Sequence, residues 1–159
     1  MSEDAKPTPI MSPSVWFEDF QAGQVYGSLR RTVTESEIID FATRYDPQPF
    51  HTSVPDAEES MFGGLIASGF MTMALTFRLI WQSNGFQTTG AGSNGIDKLR
   101  WLKPVRPGDT LRAEMAVLST RESKSRPEIG IVLLQYSAIN QDEEVVLTME
   151  CPQFVKRRT

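Results

Sequence analysis

Cysteine occurs once in this 159-residue chain, as Cys151, and histidine once, as His51. A single thiol excludes an intrachain disulfide, and one thiol with one imidazole excludes a His/Cys metal cluster. Cys151 is expected to act as a small apolar residue. Positive charge is not in excess: 16 Lys and Arg against 20 Asp and Glu leave a net charge of -4. That balance argues against nucleic acid or an anionic membrane as partner, while leaving room for a local phosphate contact. Uninterrupted apolar runs are missing too. The richest stretch, 61–81, is broken by Gly63, Gly64, Ser68, Gly69, Thr72, Thr76 and Arg78. It reads as a core helix rather than a membrane span. Residues 1–14 have neither a basic n-region nor an apolar h-region, so no secretory leader and a cytoplasmic location are expected.

What remains is the composition of a globular domain, 40% apolar and 23% charged. At this length a single domain is expected, able to bury roughly 70% of its unfolded surface. Residues 1–14, rich in proline and serine, are expected to form a flexible N-terminal tail, with the domain over 15–159. A first strand suits 24–33. Thr34 and Glu37 then make a capping box, and Ile38, Phe41, Ala42 and Tyr45 share one face of the helix that follows. Pro47 and Pro49 push Asp46 and Gln48 out of helical geometry, so 46–51 is expected to be a stiff loop. A short helix fits 53–60, with Pro55 in its first turn. From 66 to 84 apolar residues fall on nearly every face, which predicts a helix buried on all sides and stopped at Gly85. Strand patterns follow at 96–104, 110–120, 128–139 and 144–154, separated by turn residues at 106–109, 123–127 and 140–142. Short connections make these strands antiparallel. The fold class predicted is α+β: one curved antiparallel sheet wrapped around a long buried central helix.

The chemistry-bearing residues lie in two blocks. Asp46-Pro47-Gln48-Pro49-Phe50-His51 supplies a carboxylate and the imidazole. Phe62-Gly63-Gly64-Leu65-Ile66-Ala67-Ser68-Gly69 leads into the central helix. An imidazole, a carboxylate and a helix start bearing glycine are the parts needed for proton transfer beside a polarised carbonyl. Read alone, His51 is a loop histidine and Asp46 a turn-forming helix terminator. Gly63 and Gly64 serve backbone freedom, and Gly69 serves either tight packing or close substrate approach. Ser68 lacks a Gly-x-Ser-x-Gly setting, so a nucleophilic serine is not expected.

Together with a third block, Leu99-Arg100-Trp101-Leu102-Lys103-Pro104-Val105-Arg106-Pro107-Gly108-Asp109, these residues resemble the MaoC-like hotdog family, which includes (R)-specific enoyl-CoA hydratases and related acyl dehydratases. The first block is similar to the family's Asp-x-Asn-Pro-x-His signature. The resemblance spans roughly 17–155 and implies a single hotdog fold. It implies Asp46 and His51 as the acid/base pair and the Gly69 amide as donor to a thioester oxygen. Gln48, Pro49, Ser68 and Gly64 are the implied substrate contacts. The implied reaction adds water reversibly to a trans-2-enoyl thioester, giving the (R)-3-hydroxyacyl product. No metal or other cofactor is implied; CoA or an acyl carrier protein is the substrate's handle. A homodimer with the acyl pocket between subunits is also implied.

Three positions depart from the family's pattern. Gln48 stands where Asn is usual, Ser53 where Asp is frequent, and Phe77 where some hydratases carry a polar residue on the central helix. Met71 or Leu75 is expected to line an acyl tunnel, which Phe77 and Trp81 would shorten. Lys103, Arg106 and Arg112 are either contacts for CoA phosphates or a solvated sheet face, the latter preferred. The competing enzyme reading is a hotdog thioesterase, disfavoured by the Asp46/His51 pair, and the non-enzymatic one is an acyl-binding protein.

Overall fold

The computed structural model describes residues 14–158. The tail expected at 1–14 therefore lies outside the described residues, except for Ser14. A 3-10 turn at Phe17–Asp19 leads into two short strands, β1 (Val25–Gly27) and β2 (Arg31–Thr32). Helices α1 (Glu35–Tyr45), α2 (Pro49–Thr52), α3 (Val54–Glu59) and α4 (Gly69–Ser83) follow. Strands β3 (Gly90–Ser93), β4 (Asp97–Trp101), β5 (Thr110–Glu122), β6 (Ile129–Ile139) and β7 (Val145–Lys156) complete the domain.

All strand pairings are antiparallel. The sheet runs β1-β5-β6-β7-β3, with β2 also on β5 and β4 also on β7. The long strands alternate, so one face carries Leu111, Ala113, Met115 and Val117 from β5, Val132, Leu134, Tyr136 and Ala138 from β6, and Leu147, Met149 and Cys151 from β7. This face buries against α4, whose Met71, Leu75, Leu79 and Ile80 are all within 8% exposure. Burial of each such aliphatic side chain contributes about 1.5–3 kcal/mol. An antiparallel sheet packed on one central helix is the α+β hotdog fold.

The structure corrects several expectations. The central helix starts at Gly69, not at 66, because the preceding segment has other partners: the Ala67 amide donates to the Val105 carbonyl at 2.8 Å. Nor is α4 buried on all sides. Phe70 is 54% exposed and Phe77 37%, on a stripe that the described residues cover only in part. The first strand is split into β1 and β2. The segment expected as a stiff loop contains α2: Pro49 takes its first position, where a missing N–H costs nothing. Strand β3, Gly-Ala-Gly-Ser, has no strand pattern and exists through its pairing with β7. In α1, Ile38 and Ala42 are buried as expected, whereas Tyr45 is exposed.

Candidate active site

The capping box of α1 sets the position of Asp46. The Glu37 amide donates to Thr34 Oγ1 at 3.2 Å, and the Thr34 amide donates to the Glu37 carboxylate at 3.0 Å. From that fixed start the helix runs to Tyr45, and Asp46 closes it by donating its amide to Ala42 at 2.9 Å. Two residues on, the Gln48 amide donates back to the Asp46 carbonyl at 2.8 Å, which folds the chain into α2 and turns His51 inward. His51 is 4% exposed rather than a loop residue at the surface.

His51 is anchored through Nδ1. Nδ1 lies 2.7 Å from the Ile66 carbonyl oxygen, which only accepts, so Nδ1 carries the hydrogen. In the neutral ring Nε2 therefore presents a lone pair. It faces Asp46 Oδ2 at 3.3 Å. Two proton-accepting atoms at that separation are suited to sharing a proton taken from a water lodged against both.

Two hydrogen bonds hold the Asp46 carboxylate. Gln48 Nε2 donates to Oδ1 at 2.8 Å, Ser68 Oγ donates to Oδ2 at 2.7 Å, and His51 Nε2 stands beside Oδ2. Burial pushes this carboxyl up, but the hydrogen bonds from Ser68 and Gln48 and, when its ring is protonated, the positive charge of His51 outweigh it. The net effect holds it below the ordinary carboxylate range.

Ser68 is the N-cap of α4, its hydroxyl accepting from the Phe70 amide at 3.2 Å. Gly69 is the first helical residue, and its amide has no protein partner among the described residues. The indole of Trp101, from β4, lies against the Gly69 α-carbon, and its Nε1 donates to the Gly69 carbonyl at 2.9 Å. No side chain larger than hydrogen fits there without moving the ring.

These parts open on one cavity of about 570 Å³, whose lining includes Asp46, His51, Gln48 and Gly69. Phe50, Phe62, Ile66, Phe70, Trp101 and Leu102 make most of its wall apolar, and Lys103 adds a cation that is ion-paired with Glu144. An activated water, a developing oxyanion at a helix N-terminus and an apolar acyl group all fit this environment. Among the described residues, no three His, Cys, Asp or Glu side chains gather as a possible metal site.

Not every residue expected at the site reaches it. Ser68 is fully buried and meets Asp46 rather than the cavity. Pro49 starts α2 and Gly64 packs beside Arg106, both outside the lining. Met71 and Leu75 line a separate groove between α1 and α4. Phe77 stacks on Trp81 with ring centroids 5.0 Å apart, away from the cavity. Arg106 donates to the Phe62 carbonyl at 2.6 Å, and Arg112 is paired with Glu114 and Glu143. Sequence reasoning missed Trp101 as the partner of Gly69. The only signal was its place in the third motif block.

Comparison with known proteins agrees with this fold. Residues 19–135 match the MaoC like domain family. The solved MaoC-like dehydratase from Rhodospirillum rubrum superposes with a TM-score of 0.83 at 39% identity, covering 92% of this chain and 99% of that one. The uncharacterized protein YdeM of Bacillus subtilis (strain 168) is 34% identical over 88% of this chain and 98% of its own length. Mesaconyl-CoA hydratase of Cereibacter sphaeroides is 27% identical over 90% of this chain, which spans only 41% of that protein. No helix among the described residues is long and apolar enough to cross a membrane. With the family matched over most of the domain and the fold shared with its solved members, the chain belongs to the MaoC-like dehydratase family.

Proposed function

We propose that this protein is a lyase that adds water reversibly to a trans-2-enoyl-CoA thioester, giving the (R)-3-hydroxyacyl thioester. The observation that carries this reading is the Asp46–His51 pair, 3.3 Å apart on the wall of a cavity shared with Gly69. A water lodged in the cavity against Asp46 Oδ2 and His51 Nε2 loses a proton to the pair as its oxygen attacks C3 of the substrate. Electron density moves through C2 to the thioester oxygen, which the Gly69 amide stabilises at the positive end of α4. The pair then returns a proton to C2, so both groups end as they began. Gln48 contributes by holding the free oxygen of Asp46. CoA as the handle is supported by the mesaconyl-CoA hydratase likeness.

A homodimer belongs to the same proposal. Phe70 and Trp101 contribute apolar surface beside the cavity, each at least half exposed in the single chain, and a second copy would cover it.

The test follows the loss of enoyl-thioester ultraviolet absorbance with crotonyl-CoA and a panel of longer and branched enoyl-CoAs. Wild type is expected to turn over at least one substrate. Asp46→Asn and His51→Ala are expected to lose at least about a hundredfold in kcat/KM, the lower end of what positioned acid/base groups supply. Full activity in His51→Ala refutes the mechanism.

A further inference from the structure

We infer that Ser68 is a positioning residue that ties the Asp46 carboxylate to the start of α4. One hydroxyl performs two tasks at once: it donates to Asp46 Oδ2 at 2.7 Å and accepts from the Phe70 amide at 3.2 Å. The serine is 0% exposed and does not line the cavity, so it has no route to the substrate. Its sequence separation from Asp46 makes the bond a tertiary clamp rather than local turn chemistry.

The placement has a geometric consequence. The proposed oxyanion donor is the amide of Gly69, the residue that follows Ser68, while the proposed base is the carboxylate to which Ser68 donates. A hydroxyl between them sets the distance from the attacking water to the thioester oxygen. It also selects the face of the carboxylate: the oxygen it holds is the one facing His51 Nε2, whereas Gln48 holds the other. The titratable group in contact with Asp46 is His51; Lys103 lines the same cavity and is engaged by Glu144. A donated hydrogen bond favours the ionised carboxylate, so the clamp also keeps Asp46 in its proton-accepting form.

This inference rests on the proposed hydratase reading only for its kinetic arm, and a second measurement is independent of turnover. The variants are Ser68→Ala and Ser68→Gly, which remove the donor, and Ser68→Thr, which keeps it. Glycine is tolerated at an N-cap, so Ser68→Gly separates lost clamping from lost helix capping and serves if Ser68→Ala does not fold. The carboxyl carbon of Asp46 is titrated by NMR in each folded protein, assigned by its loss in Asp46→Asn. The midpoint is expected to rise in Ser68→Ala and Ser68→Gly and to return to the wild-type position in Ser68→Thr. In the hydration assay, removal of the donor should lower kcat/KM about tenfold or more. The acidic limb of the pH–rate profile should move to higher pH, with Thr restoring both. An Asp46 midpoint that stays in place in the folded Ala or Gly variant overturns the inference. If wild type shows no turnover, the hydratase reading fails while the titration still decides the role of Ser68.

Discussion

Replacing Gly69 by alanine should separate activity from stability more cleanly than any other change at the site. A methyl group on Gly69 would stand 2.5 Å from Trp101 Nε1 and 2.9 Å from Cζ2, so the indole must move. Its hydrogen bond to the Gly69 carbonyl then fails, at a cost of about 1 kcal/mol. Trp101 is 50% exposed and can swing outward without leaving a cavity in the core. Alanine gains up to about 1 kcal/mol over glycine in a helix, less at its first residue. The two effects nearly cancel, and the unfolding free energy of Gly69→Ala should stay within about 1 kcal/mol of wild type. Catalysis has no such compensation. The proposed oxyanion donor is displaced and one wall of the cavity is moved, which together should lower kcat/KM by about a hundredfold. Urea unfolding monitored by circular dichroism and enoyl-CoA hydration on the same preparations give the two numbers. Wild-type turnover in Gly69→Ala refutes the placement of the oxyanion there. A drop in stability large enough to unfold the variant refutes the argument that Trp101 is free to yield.

Gly130→Ala is the opposite case: a β-carbon there runs into the ring of Phe17, far from the cavity, so stability should fall by about 1–3 kcal/mol with kcat/KM unchanged. Stability should be flat above about pH 5 and fall steeply below about pH 4. Burial pushes Glu18, Asp19, Glu37 and Asp46 up, but their hydrogen bonds and, at all four, nearby charges hold the folded carboxyls lower. Their contribution is thus complete above the unfolded carboxylate range and is lost as pH drops through the lowered folded values. Urea midpoints from pH 3 to 7 test this, and Asp19→Asn should flatten the slope. Burial raises the Cys151 thiol, with a hydrogen bond to Ser93 opposing, so iodoacetamide at pH 8 should label native protein far more slowly than urea-unfolded protein. Equal rates would contradict the burial.

The parts legible in the sequence were those set by short-range physics. The Thr34–Glu37 capping box, the termination of α1 at Asp46 and the alternation of β5 to β7 depend on neighbours a few residues away, and the structure has them where the pattern put them. Pro49 was misread because a proline signals a break, while at the first position of a helix it signals a start. The beginning of α4 was misplaced for a related reason. Leu65, Ile66 and Ala67 are buried and apolar like the helix that follows, yet they serve an extended segment in which Ile66 accepts from His51 and Ala67 pairs with Val105. Long-range contacts left no trace at all. The Ser68–Asp46 bond, the indole over Gly69 and strand β3 each exist because distant segments meet, and no periodicity records such a meeting.

The apolar wall of the cavity is drawn from two stretches of polypeptide, and only one of them also carries the groups proposed to move protons. Phe50, Phe62, Ile66 and Phe70 are interleaved with Asp46, His51 and Gly69 in the helical segments between β2 and β3, whereas Trp101 to Val105 are the end of β4 and the segment that follows it. Changes in one stretch need not disturb the other, apart from the contact of Trp101 with Gly69. On the proposed hydratase reading, drift in 102–105 alters which acyl groups fit while the residues proposed to carry the reaction stay constant. Trp101 is the joint at which that independence ends.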